Sequence, residues 1–329
     1  MAKVLGIGNA LVDILIRLEN EELLKELNLV KGSMQLVDKD FKNLVFSKTK
    51  LLKKTQASGG SAANTIHGLA SLGVDTAYIG KIGHDELGDF FMNDLKNDHI
   101  TPLLKYSDTE TGVASTLISP DSERTFGTYL GAAVEVSAED LEDSLFAGSK
   151  FFHIEGYLVF NKALVESALK MAKSKNMTVS LDLASFNVVE ANLDFLKDIT
   201  KKYVDVVFAN EEEAKSFTGK APEEALKEIA TMCNIAVVKI GKNGSLIKQG
   251  NESYSVGAIS AKVIDTTGAG DLYAAGFIYG LTKGLSMAQC GHVGALLAGK
   301  VIEVVGAKIP ESIWDEIKKG VKIIESSDN

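Results

Sequence analysis

Short apolar segments alternate along the chain with longer segments in which apolar residues recur about every 3.6 positions. The short segments, rich in valine and isoleucine, are residues 4–8, 76–83, 151–159, 178–183, 204–209 and 235–240. The longer segments are residues 62–72, 85–95, 162–172, 222–232, 272–281 and 288–301. Strands this apolar, separated by amphipathic helices, predict a largely parallel sheet that is buried on both faces by helices.

Two regions interrupt this alternation, residues 14–46 and about 103–130. Both contain threonine, serine and alternating apolar positions, which are typical of isolated strands without partner helices. No linker rich in proline and serine separates them from the rest, and no repeat of 20–50 residues occurs. We therefore expect one α/β domain over residues 1–329, with a small accessory β-lid formed by approximately 14–46 and 103–130.

Composition and charge narrow the class of protein. The chain has 329 residues, 45% of them hydrophobic and 24% charged, which is typical of a folded globular protein. Its 44 acidic and 35 basic residues give a net charge of -9, which disfavours nucleic acid and anionic membrane surfaces as partners. The apolar start lacks a signal-peptide cleavage pattern, and no uncharged run approaches the ~20 residues of a membrane helix, so we expect a cytoplasmic protein.

The most informative motif is Asp-Thr-Thr-Gly-Ala-Gly-Asp at 265–271, which precedes a helical pattern. Small residues at a helix start let backbone N–H groups approach an anion, so Gly268, Ala269 and Gly270 are predicted to form a phosphate cradle. Asp271, in the first turn, is the candidate general base that accepts the proton of an attacking hydroxyl. The alternative is that Asp271 is only a favourable first-turn acid and the glycines only a turn.

A second group of polar residues suits the vicinal hydroxyls of a sugar. Gly59 and Gly60 precede a helix that carries Asn64 in its first turn, and Asn9 and Asp13 follow the first strand. An asparagine side chain presents both a donor and an acceptor, and paired glycines let the backbone touch a ligand. The alternative is a tight helix entry with no ligand.

Taken together and in order, these motifs resemble those of the ribokinase-like (PfkB) carbohydrate kinase family. The matching segments are Gly-Asn-x-x-x-Asp at 8–13, Gly-Gly-x-x-x-Asn at 59–64, residues 80–88, Asn-x-x-Glu at 210–213 and residues 265–271. The resemblance spans essentially the whole chain. It implies a ribokinase-like three-layer α/β sandwich with a mostly parallel central sheet and a small β-lid, and an ATP-dependent transfer of the γ-phosphoryl group to a primary hydroxyl.

The same resemblance implies roles for residues near the nucleotide. Asn210 and Glu213 correspond to the pair that organises Mg²⁺ and its waters, although Glu213 could simply belong to a charged first turn of a helix. Residues 239–244 are similar to the turn that approaches ATP through Gly241 and Gly244, and Lys239 stands where a small polar residue is common.

Two further assignments, one near the adenine and one a cation site, rest on similarity alone. His292 corresponds to a position that borders the adenine, although a single histidine on an apolar helix is commonly a core residue. The resemblance also implies a possible K⁺ site. Its candidate residues are Asp265, Thr267, Val301, Val304 and Gly306.

The acceptor is suggested by Asn9 and by residues 182–186, which resemble the adenosine-kinase-like branch of the family. In that branch an aromatic residue stacks on the base, and Phe186 is the candidate, with Phe126 and Tyr129 of the lid as others. Arg124, one of only two arginines, lies on the lid and could hold substrate or the transferring phosphate. Each aromatic residue could equally serve ordinary packing.

Several other functions remain as alternatives or are disfavoured. A kinase for a free sugar such as ribose or fructose, and a non-catalytic ligand sensor, are the open alternatives, and the chain could be a monomer or a homodimer that pairs through the lid. An NAD-dependent oxidoreductase is disfavoured because Leu11 replaces the third glycine of the dinucleotide fingerprint that Gly6 and Gly8 begin. No P-loop, nucleophile elbow or zinc-protease motif occurs.

Overall fold

The computed structural model describes residues 3–121 and 123–327. The strands are β1 (Lys3–Ile7), β2 (Leu11–Arg17), β3 (Met34–Leu36), β4 (Lys54–Gly59), β5 (Thr76–Gly83), β6 (Ile100–Ser107), β7 (Gly112–Ile118), β8 (Arg124–Tyr129), β9 (Ser149–Glu155), β10 (Thr178–Asp182), β11 (Val206–Asn210), β12 (Ile235–Lys239), β13 (Ser245–Gln249) and β14 (Glu252–Val256). The helices are α1 (Glu22–Glu26), α2 (Lys39–Lys48), α3 (Ser61–Ser71), α4 (Glu86–Asn97), α5 (Lys162–Ser174), α6 (Phe186–Ala191), α7 (Leu193–Tyr203), α8 (Glu211–Thr218), α9 (Pro222–Ile229), α10 (Ala269–Lys283), α11 (Met287–Val301) and α12 (Glu311–Ser326).

Nine of the strands form the central sheet, in the order β14-β13-β12-β11-β10-β9-β1-β5-β6. The strands from β12 to β6 in this order are parallel to one another, and β13 and β14 add an antiparallel hairpin at one edge. Helices connect the parallel strands and cover both faces, as expected for parallel sheets. The predicted fold class, a three-layer α/β sandwich, is confirmed.

Side chains at alternate positions of the central strands pack into two separate hydrophobic cores. On β11, Val206 and Phe208 pack into one core while Val207 and Ala209 pack into the other, and all four are fully buried. Because successive side chains of a strand point to opposite faces, a continuous apolar run is what a sheet covered on both sides requires. This explains why the short apolar segments were readable as strands.

The other five strands form a second sheet, in the order β3-β8-β7-β2-β4. Buried residues of β2, such as Val12, Ile14 and Ile16, belong to the same core as one face of the central sheet. The two sheets therefore share one hydrophobic interior.

The bounds of this second sheet differ from the predicted 14–46 and 103–130. It begins at Leu11 and includes β4, whose polar sequence Lys-Thr-Gln-Ala-Ser-Gly hides its strand character, whereas β6 pairs in parallel with β5 on the central sheet. The interpretation of residues 14–46 as isolated strands without partner helices was wrong, because α1 and most of α2 lie there. The side chain of Asp38 accepts a hydrogen bond from the N–H of Phe41 and so caps the start of α2.

The fold brings the candidate site residues to one edge of the central sheet. The carboxyl ends of β1, β9, β10, β11 and β12 meet there, which is where open α/β sheets bind ligands. The starts of α3 and α10 lie beside this edge, and the two helices approach closely because Gly68 carries no side chain: a Cβ there would lie 2.8 Å from Cβ of Ala275. Among the described helices, none combines the length and the apolar character needed to cross a bilayer.

Candidate active site

Asp271 lies in the first turn of α10 and faces the start of α3. The hydroxyl of Ser61 donates to its Oδ1 at 2.7 Å, and Nδ2 of Asn64 donates to its Oδ2 at 2.9 Å. Burial raises the pKa of Asp271 to about 6, an increase that these two hydrogen bonds oppose. At neutral pH the group is therefore mostly ionised and is a stronger base than an exposed aspartate.

The glycines before Asp271 shape the start of α10. Gly268 caps the helix with φ +76°, and a Cβ on it would overlap Ala307. The N–H of Ala269 donates to the carbonyl of Thr266 at 3.2 Å, whereas the N–H of Gly270, in the first turn, has no acceptor within the helix. The N–H of Gly270 can therefore donate to a ligand, whereas that of Ala269 is already used.

Asp13 and the Gly59–Gly60 turn form a wall of the site beside Asp271, which we call the acceptor wall. A Cβ on Gly59 would lie 2.6 Å from the carboxylate of Asp13, and Gly60 has φ +99° with its backbone against the carbonyl of Asn9. Burial and the neighbouring Asp271 carboxylate raise the pKa of Asp13 to about 7. No larger residue fits at either glycine without moving this wall.

Asn64 carries an unused hydrogen-bond acceptor. While its Nδ2 donates to Asp271, its Oδ1 is buried and has no hydrogen-bond partner among the described residues. A buried unpaired oxygen is costly, so it indicates a place where a ligand hydroxyl donates.

Glu155, which sequence reasoning missed, connects Asn9 to the start of α3. The backbone N–H and Nδ2 of Asn9 donate to its Oε1 at 2.9 and 2.7 Å, and the N–H of Ala62 donates to its Oε2 at 2.8 Å. Burial raises the pKa of Glu155 to about 7 despite these bonds. The available signal was its position: it ends β9, at the same sheet edge as the other site residues.

Lys239 and Asp182 form a buried ion pair beside the predicted phosphate cradle. Lys239 Nζ lies 3.0 Å from Asp182 Oδ2 and 3.0 Å from where a Cβ on Gly270 would stand. Burial alone would lower the pKa of Lys239, but the carboxylates of Asp182 and Glu213 hold it above its ordinary value. The site therefore contains a charged lysine next to the start of α10.

Asn210 and Glu213 cap the start of α8 through three reciprocal hydrogen bonds. Asn210 donates from N and Nδ2 to the two Glu213 oxygens, each at 2.7 Å, and the N–H of Glu213 donates to Asn210 Oδ1 at 2.8 Å. Burial and the nearby Asp182 carboxylate raise the pKa of Glu213 to about 7.

This pair fits a magnesium ion held through water. Each carboxylate oxygen of Glu213 accepts one bond from Asn210 and keeps capacity for another. In the part of the chain that the structure describes, no group of three or more His, Cys, Asp or Glu is arranged to hold a metal ion directly. Mg²⁺ typically keeps several waters and uses one or two carboxylates together with substrate phosphates.

The remaining nucleotide candidates lie around the β12–β13 turn and on α11. Gly241 and Gly244 have φ +55° and +97°, and the N–H of Ile240 donates to the carbonyl of Gly244 at 2.8 Å. His292 is exposed on α11, next to Gly291, which packs against the β13–β14 hairpin. These residues border the same edge of the sheet, and in the part of the chain that the structure describes none of them hydrogen-bonds to the Asp271 side chain.

The aromatic candidates differ in exposure. Phe186 begins α6 and is 40% exposed, whereas Phe126 and Tyr129 are partly buried on β8. The ammonium of Lys42 lies 5.2 Å from the centre of the Tyr129 ring. Phe186 therefore offers the freer ring face.

Arg124 reaches from β8 of the second sheet to the residues before α10. Its Nη1 lies 2.6 Å from Oδ2 of Asp265 and donates to Oγ1 of Thr267 at 3.2 Å. The candidate lid residue and the candidate cation-site residues are thus in direct contact.

Asp265 has little capacity left for a metal ion. Its Oδ1 accepts from the N–H and the hydroxyl of Thr267 at 3.1 and 2.9 Å, and its Oδ2 accepts from the N–H of Gly306 at 2.6 Å as well as facing Arg124.

The backbone part of the predicted K⁺ site is also partly used. The carbonyl of Val301 accepts from the N–H of Val304 at 3.1 Å. The carboxylate of Asp265 is itself surrounded by N–H and O–H donors, which leave its oxygens little capacity for a cation.

Comparisons with known proteins identify the family and the fold that this chain resembles. A family model described as pfkB family carbohydrate kinase matches residues 33–314. The structure of a probable sugar kinase from Rhizobium etli is 37% identical, with a TM-score of 0.88 over 97% of this chain and 98% of that one. The adenosine kinase of Sinorhizobium meliloti is 35% identical, with a TM-score of 0.88 over 97% and 99%. An uncharacterized sugar kinase of Archaeoglobus fulgidus is 28% identical over 250 residues, 75% of this chain and 99% of that protein.

Proposed function

This chain belongs to the PfkB family of carbohydrate kinases, and on that premise we propose that its acceptor is a ribose-ring compound, with a nucleoside of the adenosine type favoured over a free sugar. The enzyme is a phosphotransferase that acts on a hydroxyl group of a sugar or nucleoside. Membership of a kinase family implies ATP and Mg²⁺.

The observation that carries the proposal is the buried contact of Asp271 with Ser61 and Asn64 at the start of α10. One side of this contact offers a carboxylate with a pKa of about 6, and the other offers the unpaired Oδ1 of Asn64. A sugar CH₂OH placed here would donate its proton to Asp271 while a neighbouring hydroxyl donates to Asn64. The acceptor oxygen would thereby gain nucleophilic character as its bond to the γ-phosphorus forms, while the bond from that phosphorus to the bridging oxygen of ATP breaks and ADP leaves.

The phosphate side of the reaction would use the start of α10. The N–H of Gly270 and the ammonium of Lys239 supply positive potential on the side of Asp271 away from the acceptor. Mg²⁺·ATP supplies the phosphoryl group and offsets its charge, and Asn210 and Glu213 would hold the waters of the ion. We assign Gly241, Gly244 and His292 to the nucleotide because they border this side.

The preference for a nucleoside rests on Phe186 and on the acceptor wall. Asp13 and Asn9 suit ribose hydroxyls, and the ring of Phe186 is exposed enough to stack on a base. The similarity to the Sinorhizobium meliloti adenosine kinase supports this choice. The similarity to the Rhizobium etli sugar kinase supports a free sugar as the second candidate.

The second sheet is proposed to act as a lid over this acceptor, because Arg124 already joins it to the residues before α10. Closure would exclude water, which competes with the acceptor for the phosphoryl group. The possible K⁺ site implied by the sequence resemblance is left out of this proposal, since the carboxylate of Asp265 is already surrounded by N–H and O–H donors.

A coupled assay of ADP release tests the proposal with adenosine, other nucleosides, ribose and fructose. We expect the highest kcat/KM with a nucleoside, and we expect Phe186→Ala to raise the nucleoside KM about tenfold through loss of stacking, with the ribose KM unchanged. Ile323→Ala, which removes an exposed apolar side chain from α12, is the matched control. Turnover of a free sugar alone would support the second candidate, and binding without turnover of any compound would indicate a non-catalytic sensor.

A further inference from the structure

Asp265 is a buried carboxylate directly before the phosphate cradle. Its side chain is 4% exposed, and the segment it begins continues through Thr267 into the start of α10. A buried carboxylate without a compensating positive charge is expensive. The charge of Asp265 also reaches the acceptor wall, where it contributes to the raised pKa of Asp13.

An uncompensated charge at this position would oppose the reaction itself. The transferring phosphoryl group is anionic, and it would have to approach the start of α10 within a few residues of Asp265. In a site of low dielectric constant the repulsion between two such charges is much stronger than in water. A positive group must therefore stay beside Asp265 for the cradle to work.

The structure supplies that positive group from within the chain. The guanidinium of Arg124, on a side chain only 10% exposed, lies 2.6 Å from Asp265 Oδ2 and donates to Thr267 Oγ1 at 3.2 Å. An arginine keeps its charge at all accessible pH values, and its planar array of donors can contact both groups at once. With Gly306 donating to the same Oδ2 at 2.6 Å, the carboxylate is already saturated.

We propose that the guanidinium of Arg124 takes the place of a monovalent cation beside Asp265, so that this kinase needs no K⁺. The inference rests on the kinase activity of the family and deepens the proposed site, but it is independent of which acceptor is used. It also makes the second sheet part of the phosphate site, because the charge that balances Asp265 is carried by β8.

The first test compares the wild-type enzyme in KCl and in choline chloride at equal ionic strength, with the magnesium nucleotide prepared free of alkali metal. We expect kcat to agree within about twofold and the melting temperature of the nucleotide-free protein to be the same in both salts, since a cation that binds the native state would raise it. The acceptor is whichever compound shows turnover, so a wrong choice of acceptor does not affect the result. A kcat several times higher in KCl, or a higher melting temperature in KCl alone, would overturn the proposal.

The second test removes the guanidinium. In choline chloride, Arg124→Gln is expected to lose most turnover and some thermal stability, and KCl is expected to restore part of both by placing a cation beside Asp265. Arg124→Lys, which keeps a charge, is expected to remain insensitive to KCl. Arg17→Gln is the matched control, because it removes the other arginine from an exposed end of β2.

The outcomes of the second test are distinct. The proposal is supported if KCl restores turnover and stability in Arg124→Gln but not in the other variants, because K⁺ then replaces the guanidinium beside Asp265. Equal impairment of Arg124→Gln in both salts, or equal KCl sensitivity of Arg17→Gln, contradicts it. Should Arg124→Gln fail to fold in choline chloride, purification in KCl with a folded circular dichroism spectrum supports the proposal, and failure in both salts counts against it.

Discussion

Asp265 and Asp271, the aspartates at the two ends of the segment 265–271, are both buried, but their carboxylates accept different numbers and kinds of hydrogen bonds. Asp265 receives two donors at each oxygen, one of them a guanidinium. Asp271 receives a single neutral donor at each oxygen, and its pKa is raised to about 6. A carboxylate whose lone pairs are all hydrogen-bonded stabilises the loop around it. A buried carboxylate that accepts few hydrogen bonds has a raised pKa and keeps lone pairs available, so it can act as a base.

Local sequence explains this difference. Asp265 precedes the helix and lies among loop N–H groups, which are the natural partners of a carboxylate. Asp271 lies inside the first turn and turns away from the loop toward α3, where only side-chain donors reach it. The same residue type thus has a structural role at one end and a chemical role at the other.

The largest expected effect comes from Asp271→Asn, which removes the proton acceptor and leaves the backbone at the start of α10. We expect kcat to fall by about 10²–10⁴-fold, the usual contribution of a general base, with little change in the KM for ATP. Steady-state kinetics with the best acceptor measure this. Turnover near that of the wild type would assign the base to another group.

Asp265→Asn should instead reduce stability. Breaking a buried ion pair from one side leaves Arg124 unpaired, and such losses are about 3–5 kcal/mol in the free energy of unfolding. Urea unfolding at pH 8 measures the loss.

Asp271→Asn is the matched comparison for the loss of stability that we expect in Asp265→Asn. Because the pKa of Asp271 is higher in the folded protein than in the unfolded chain, its ionisation opposes folding: this cost grows as the pH rises from about 3.8 to about 6 and is fully present at pH 8. We therefore expect no comparable loss of stability in Asp271→Asn at pH 8. Similar losses in both variants would remove the distinction between the two aspartates.

Lys239→Met should shift the pH dependence of catalysis. The charge of Lys239 lowers the pKa of Asp271, so its removal should move the acid limb of kcat/KM from about pH 6 to a higher pH. The wild-type enzyme should lose activity below about pH 6, as Asp271 becomes protonated. Lys242→Met, which removes an exposed lysine from the neighbouring turn, should leave the limb in place.

Ser61→Ala should move the acid limb in the same direction. It removes one of the two hydrogen bonds that hold the pKa of Asp271 down, and this bond lowers that pKa at least as much as the charge of Lys239 does, so the limb should move upward at least as far as in Lys239→Met. The same pH profiles measure it. A downward shift would mean that Ser61 does not act through hydrogen bonding to the carboxylate.

Much of the fold follows from local pattern. The run 76–83 was predicted with the bounds that β5 has, and the motif at 265–271 was placed correctly at a helix start. Both depend on periodicity and on residues near in sequence. The helix α2 was missed although Asp38 is a standard cap, because the alternating apolar residues around it favoured strands.

The site was less predictable where it depends on contacts between distant elements. Glu155 belongs to no local motif. Asp182 and Lys239 each lie in a recognised segment, but their pairing joins residues 57 positions apart. The engagement of Arg124 with Asp265 joins two sheets and has no signature in either segment. Only the arrangement of strand ends along one edge could have indicated these groups.

The hydrogen bonds from Ser61 and Asn64 to Asp271 span 210 and 207 positions of the chain. While the ribosome is still making the last third of the protein, the start of α3 has been exposed for some time without its partner helix. Contacts of such long range slow folding and leave apolar surface open to aggregation. The newly made amino-terminal half must therefore persist in an incomplete form until α10 emerges, which makes production at lower temperature or with added chaperones the sensible choice.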